Sequence, residues 1–339
     1  MKVLFIGGTG TISTAITAIA PKAGFDLYLL NRGNHSNRIP EGVKVIEADI
    51  NQEEEVKEKL KNMTFDIVAQ FVAYDTAAIK RDIRLFSGRT KQYIFISSAS
   101  AYQKPLSHPV ITESTPLHNP YWEYSRNKIA CEECLMEEYR KNGFPVTIVR
   151  PSHTYGDFDV PLALHGNNGS YSIINRIKNG KKVIVHGDGS SLWTLTHNTD
   201  FAKGFVGLMG NIHAIGEAVH ITSDESLTWN QIYESIGNAL GRKPNIVYIP
   251  TATLIKSNQD FIGSMLGDKA NTVIFDNTKL KRLVPGFTAT VRFDQGVRRT
   301  LSCIESHPEL QKSDAAFDAW TDQMIAAYED FERKLPIYC

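Results

Sequence analysis

The chain of 339 residues has no excess of either charge, with Lys plus Arg at 37 and Asp plus Glu at 37. A balanced surface has no standing field to draw in a polyanion, so nucleic acid is not expected as a partner. There are four cysteines, Cys131, Cys134, Cys303 and Cys339, too sparse for a disulfide framework. Cys131 and Cys134 stand one helical turn apart, but no second close Cys or His pair at finger spacing accompanies them. Reduced thiols and no metal site are therefore predicted. No apolar run approaches the ~20 residues that a bilayer crossing needs, so no membrane association is expected. Met1 to Ile6 carries a single Lys ahead of a short β-rich run that leads straight into glycines, with no small-residue cleavage site. It reads as a first strand and not as a secretory leader. What these absences leave is a cytoplasmic globular chain, for which 42% apolar and 22% charged residues are ordinary values. Nothing in the composition excludes a homodimer.

What is present is an alternation. Lys2 to Ile6, Leu27 to Leu30, Val43 to Ile46, Asp66 to Val72, Tyr93 to Ser97 and Val146 to Val149 are apolar runs of strand length. Between them Gln52 to Lys61, Thr76 to Gly88 and Tyr121 to Asn142 have helical spacing. Strand and helix in turn predict an α/β fold with a doubly wound parallel sheet, because parallel neighbours need crossover connections. After Arg150 and Pro151 the texture changes, and Ser152 to Gly189 is rich in Gly, Asn, His and Ser, with one helix around Ile173 to Lys178. A strand at Ala218 to Ile221, a helix at Thr228 to Leu240, a strand at Ile246 to Ile249 and a helix at Asp314 to Arg333 follow. Residues 1–150 are thus expected to form a dinucleotide-binding core. Residues 151–339 are expected to form a smaller substrate-binding lobe that partly returns to the sheet.

Gly7 to Ser13 reads Gly-Gly-Thr-Gly-Thr-Ile-Ser and lies between the first strand and the first helical pattern. A backbone that turns sharply and approaches a pyrophosphate needs residues without a Cβ, which Gly7 and Gly10 supply. Thr11 and Ile12 then open a helix whose amides and dipole favour phosphate. In such a loop the end of the second strand selects the adenosine ribose, and here it reads Asn31, Arg32, Gly33. No acid stands there, and Arg32, with Arg38 nearby, is placed to pair with a 2′-phosphate. NADP(H) is favoured, with NAD(H) the alternative. Asp49 is a candidate for the adenine edge or for a helix cap. Ile50 beside it, Pro151 after the sixth predicted strand, and Tyr124 and Lys128 complete the candidate cofactor set.

Tyr124 and Lys128 project from one helix face a turn apart. A tyrosine acts as a base near neutrality only if its pKa falls by about 3 from ~10, or ~4 kcal/mol. One ammonium at ~4 Å in an effective dielectric of ~20 supplies about that. Ser98 ends the strand Tyr93 to Ser97 at the crevice where open α/β sheets bind ligands, and could align a substrate oxygen for Tyr124.

Taken in order, the loop Gly7–Ser13, the Ile-Ser-Ser-Ala-Ser-Ala-Tyr run at 96–102, the Tyr-Ser-Arg-Asn-Lys run at 124–128, the Arg-Pro-Ser-His-Thr-Tyr-Gly run at 150–156 and His-Gly-Asp-Gly at 186–189 resemble the extended short-chain dehydrogenase/reductases, the family of nucleotide-sugar epimerases and dehydratases. That resemblance implies a Rossmann fold and the catalytic trio Ser98, Tyr124 and Lys128. It singles out Ser98 because Ser98 stands four residues before Tyr102. Two departures bear on the substrate. Ala99 and Ser100 stand where family dehydratases carry an Asp and a Glu, which disfavours dehydration. Trp193 stands where relatives place an Arg that pairs with a diphosphate, so a sugar-like substrate without a gripped diphosphate is expected. Asn31-Arg32-Gly33 also resembles a branch that includes chloroplast stem-loop RNA-binding proteins, which keeps a dinucleotide sensor or RNA-binding role as the alternative.

The expected function is NAD(P)-dependent oxidation, reduction or epimerisation at a secondary alcohol or ketone of a sugar-like substrate. His153, Asn175, Arg176, Trp193 and His197 are its candidate contacts from the second half, each equally readable as a structural polar or anchoring residue.

Overall fold

The computed structural model describes residues 1–336; Cys339 lies outside the described residues. The first strand, β1 (Lys2–Ile6), is buried from Val3 onward, as a central parallel strand must be. Val3 and Phe5 pack on one face with Ile16, Leu27 and Leu29, while Leu4 and Ile6 pack on the other with Val56, Val68 and Ile79. The helix α1 (Thr11–Ile19) returns the chain to β2 (Asp26–Asn31), parallel to β1. There follow β3 (Lys44–Glu47), α2 (Glu53–Lys59), β4 (Phe65–Gln70), α3 (Thr76–Phe86), β5 (Thr90–Ile96), the short β6 (Val110–Ile111), α4 (Glu123–Asn142) and β7 (Val146–Pro151). Apart from β6, which the sequence did not suggest, these spans agree with the sequence reading to within a few residues. Where Tyr121 was the expected start of α4, Trp122 is extended (φ −125°, ψ 116°) and the helix opens at Glu123. It closes on Gly143 at φ 72°, the left-handed cap that glycine adopts without penalty.

The second half holds more regular structure than its composition suggests. It contains β8 (His153–Tyr155), α5 (Tyr171–Lys178), β9 (Lys182–His186), β10 (Leu192–His197), α6 (Asn198–Leu208) and β11 (Ala218–Ile221). Next come β12 (Ser226–Thr228), α7 (Trp229–Ala239), β13 (Asn245–Ile249) and β14 (Ile274–Phe275), and later helices at Phe293–Ser306 and Ala315–Arg333. The strands β8 and β10 hide in the sequence because they bury hydroxyls: Thr194 and Thr196 are fully enclosed. The helix α6 hides because Gly204 and Gly207 lower its propensity. Packing requires both, since a Cβ on Gly207 would lie 2.3 Å from Val284 Cγ1 and one on Gly204 2.9 Å from Ile221 Cγ2.

One sheet of seven parallel strands runs β11-β7-β5-β4-β1-β2-β3. The chain winds outward from β1 through β2 to β3, then outward the other way from β4. The loops after β1 and β4 therefore diverge and leave a crevice at the strands' carboxyl ends, where such sheets bind ligands. The strand β11 enters this sheet beside β7, and Phe201 and Phe205 of α6 cover the same face as Phe5. A second core, with Trp193, Trp229, Tyr233 and Phe293, fills the lobe around the sheets β12-β10-β8 and β13-β9.

Candidate active site

Two adjoining clefts open at the crevice. The first, about 410 Å³, is lined by Gly7, Thr9, Asn31, Arg32, Asp49 and Ile50 among others. Its floor is the loop after β1, where Gly7 and Gly8 take φ of 104° and 98°. Gly8, part of the loop but not singled out in sequence, is the position there that most needs glycine: a Cβ would come 2.7 Å from Leu29 Cδ2. Gly10 caps α1 with open space on its Cβ side, Ser13 Oγ at 3.8 Å being the nearest atom. The first turn of α1 carries no acid, so its positive end faces the cleft uncompensated. Ser13, at the third-glycine position, braces the loop by accepting a hydrogen bond from Gly10 N at 3.0 Å. This open, anion-favouring cradle fits a dinucleotide pyrophosphate.

Around the cradle, Asn31 Oδ1 accepts from Gly33 N at 2.9 Å, and Asp49 Oδ1 accepts from Asn51 N at 2.9 Å. Asp49 thus lines the cleft and caps a turn at once. Arg32 is exposed at the cleft edge. Arg38 is committed elsewhere: Nη1 donates to Thr9 O at 3.2 Å and its guanidinium lies 4.1 Å over the Phe158 ring. An acid does reach this region from the neighbouring strand, because Glu47 at the end of β3 approaches Gly33.

The second cleft, about 300 Å³, is lined by Ile12, Ser98, Tyr124, Pro151, His153 and Trp193 among others. Tyr74, on the wall of the first cleft, and Tyr124 have ring centroids 6.4 Å apart, so the two spaces meet there. Ser98 follows β5 and caps the turn Ala99–Ala101, accepting from Ser100 N at 3.1 Å. Ser125 Oγ donates to Ser100 Oγ at 2.7 Å, and Ser100 Oγ lies 2.8 Å from Ser98 Oγ. With Ser125 donating to Ser100 and Ser100 in turn donating to Ser98, the hydroxyl proton of Ser98 is left free for the cleft.

Lys128 does not sit on the Tyr124 phenol. Its Nζ donates to Ala73 O at 2.7 Å and Ile96 O at 2.9 Å, and lies 5.7 Å from the Tyr124 ring centroid. The expected acidification of Tyr124 by its neighbour is therefore not what this geometry gives. Burial pushes the phenol up to about 12, with Ser98 tempering the rise. Burial likewise pushes the Lys128 ammonium down to about 8, since both shifts favour the neutral form.

Of the candidate contacts from the lobe, His153 and Trp193 reach the cleft. His153 is held neutral by burial, its pKa near 3. Trp193 is 2% exposed and stacks on Trp229 at 5.6 Å, so it anchors the lobe while lining the cleft. Arg176 and Asn175 do not line the cleft. Arg176 is buried in ion pairs with Asp318 and Asp322 of the last helix and donates to Lys182 O at 2.8 Å, while Asn175 Oδ1 accepts from Asn179. His197 caps α6 by accepting from Thr199 N. Residues that the sequence reading missed, Ser152, Thr154, Trp122, Asp268 and Phe275, complete the wall. They carry no local motif; Ser152 and Thr154 alone could have been found, since they alternate with His153 after β7.

Residues 83–221 match the NAD dependent epimerase/dehydratase family. The 2′-dehydrokanamycin reductase of Streptomyces kanamyceticus is 25% identical over 85% of this chain and 80% of its own length. The chloroplast stem-loop binding protein of 41 kDa b of Arabidopsis thaliana is 24% identical over 73% of this chain and 65% of its own. An epimerase of Methanothermobacter thermautotrophicus superposes with a TM-score of 0.75 at 20% identity, covering 91% of this chain and 94% of that one. Residues 83–221 thus match the NAD dependent epimerase/dehydratase family, and the doubly wound parallel sheet is the fold shared with these structures.

Proposed function

We propose that the protein is an NAD(P)-dependent oxidoreductase acting on a sugar-like secondary alcohol or its ketone, with NADP(H) as the favoured dinucleotide. The observation that carries this reading is that the hydroxyls of Ser98 and Tyr124 line one cleft where it meets the glycine cradle, with Lys128 buried beneath. Gly7, Gly10, Thr11, Ile12, Asn31, Arg32, Asp49 and Ile50 would hold the dinucleotide. When bound, it supplies the hydride donor or acceptor. Ser98 donates to the substrate oxygen and holds it beside Tyr124. The phenol, protonated at neutral pH, gives its proton to the oxygen of a ketone being reduced; an alcohol being oxidised returns it. The Lys128 ammonium stabilises the phenolate that proton donation leaves behind. A sensor or RNA-binding role would leave this hydroxyl pair and buried ammonium without a purpose.

Substrate and cofactor preferences follow from charge. No Lys or Arg lines the second cleft among the described residues, so a diphosphate finds no bidentate partner there. The reading is tested by following NADPH oxidation on adding a panel of keto sugars. Turnover of at least one supports it; dinucleotide binding with no turnover of any would favour the sensor. Arg32→Ala is expected to weaken NADPH by about tenfold or more, as loss of a charge-assisted contact does, and NADH far less. Equal effects on the two affinities would move the assignment to NAD(H).

The pH dependence has a definite sign. Lys128 loses its charge as pH rises through about 8, which removes the cation that stabilises the phenolate. Ketone reduction is therefore expected to be fastest below about pH 8 and to decline above it, while Tyr124 stays protonated throughout that range. A reduction rate that climbs across pH 8 would contradict the role given to Lys128.

A further inference from the structure

Asp268 supplies the one carboxylate among the described residues that line the second cleft. It is carried on a single π-helical turn, Met265–Lys269, a geometry that recurs at functional sites. The turn is fixed from both sides. Asn119, 1% exposed, donates to Gly267 O at 2.7 Å and to Ser100 O at 2.8 Å, tying it to the loop that holds Ser98. Trp229 Nε1 donates to Lys269 O at 3.1 Å from the lobe core. Gly263 and Gly267 lie so close to Trp122 that a Cβ on Gly263 would come 2.4 Å from its Cδ1. The acid is thus delivered beside the start of the helix that bears Tyr124.

Its carboxylate forms no hydrogen bond or ion pair with the described residues, and feels Lys104 and Lys269 only at longer range. Lys104 Nζ is itself buried without a partner, and burial lowers both lysines toward the neutral form. Neither forms a hydrogen bond or ion pair with the acid. Trp122, Tyr124, Trp193 and Phe275 share the lining with it. Aromatic side chains with one carboxylate that no Lys or Arg pairs with directly, and no cation in the lining, are what an ammonium group requires.

We propose that the cleft takes an amine-bearing sugar or polyol, with its ammonium group held by Asp268 and its carbinol oxygen at Ser98 and Tyr124. This rests on the reading of the cleft as a hydride-transfer site for a sugar-like alcohol, and adds the substrate's charge. A hydroxyl in place of the ammonium would leave the half-buried carboxylate poorly compensated. That carboxyl is pushed up to about 6 by burial, so the site loses its negative charge as pH falls through about 6. Tyr124, Lys104 and Lys269 are the other titratable groups that face it.

The test titrates the NADPH-saturated protein with glucosamine, N-acetylglucosamine, glucose and UDP, read by the fluorescence of the tryptophans on the cleft wall. Glucosamine is expected to bind about 10- to 100-fold tighter than the two neutral sugars, the range of a charge-assisted contact, and UDP more weakly than glucosamine. Asp268→Asn should erase that preference. Absence of saturable glucosamine binding, equal affinity for glucosamine and glucose, a preference that survives Asp268→Asn, or tighter binding of UDP would each overturn the proposal. Should Asp268→Asn fail to fold, the wild type decides: glucosamine affinity must fall as pH drops through about 6, and a flat profile refutes it. Tyr124→Phe, run alongside, separates the two claims. Retained amine preference with undiminished turnover sinks the hydride-transfer role of Tyr124 and not the ammonium site. Tyrosine-dependent turnover with no amine preference sinks the ammonium site alone.

Discussion

Tyr124→Phe is expected to lower turnover by at least about 100-fold, the usual scale for loss of a general acid or base, while dinucleotide affinity stays nearly unchanged. The variant removes one oxygen from a ring packed 5.1 Å from Trp122 and 6.4 Å from Tyr74, so the wall keeps its shape. What it loses is the proton donor that burial holds in its acid form. Steady-state rates with the best ketone from the panel, together with NADPH titrations, check both halves. Near-equal turnover would remove Tyr124 from the chemistry, and a large drop in NADPH affinity would make it a binding residue.

Glu132→Ala is expected to destabilise the fold by about 3 to 5 kcal/mol, the usual result of leaving one member of a buried ion pair alone. Glu132 is 3% exposed on α4, and its Oε2 receives Arg150 Nη2 at 2.6 Å and Nε at 3.2 Å. Ser97 also donates to Oε1. The pair joins α4 to β7 and to the end of β5, the elements that carry Tyr124, Pro151 and Ser98. Removing the carboxylate strands a guanidinium whose ion pair lies in the core. Urea unfolding should show a lower midpoint with an unchanged slope, and Glu132→Gln, which keeps an acceptor, a smaller loss. An unmoved midpoint in Glu132→Ala would show that the pair contributes nothing net.

The Rossmann half was legible because its signals are local. Strand runs, helical runs and the Gly7–Ser13 loop each act within a few residues, and alternation then fixes where their ends meet. Ser98, Tyr124 and Lys128 could be picked out as candidates for the same reason. The state of Tyr124 could not, because it depends on where Lys128 Nζ is drawn, and two backbone carbonyls from β4's following loop and β5 draw it away from the phenol. Arg176 looked available in sequence and is not, since its partners Asp318 and Asp322 lie on the last helix. Asp268 was invisible for the converse reason. Nothing near it in sequence marks a site, and only the packing of its turn against Trp122 and Asn119 brings it to the cleft.

In the proposed reaction hydride passes within this cleft to a ketone carbon whose oxygen Tyr124 protonates. The most direct measurement supplies NADPH deuterated at the transferring position of nicotinamide C4 with a ketone that the panel identifies, and locates the label in the product by mass spectrometry. The account predicts deuterium on the new carbinol carbon with wild-type protein and at least about 100-fold less labelled product with Tyr124→Phe. Product without the label, or labelled product formed equally fast by the variant, would contradict it.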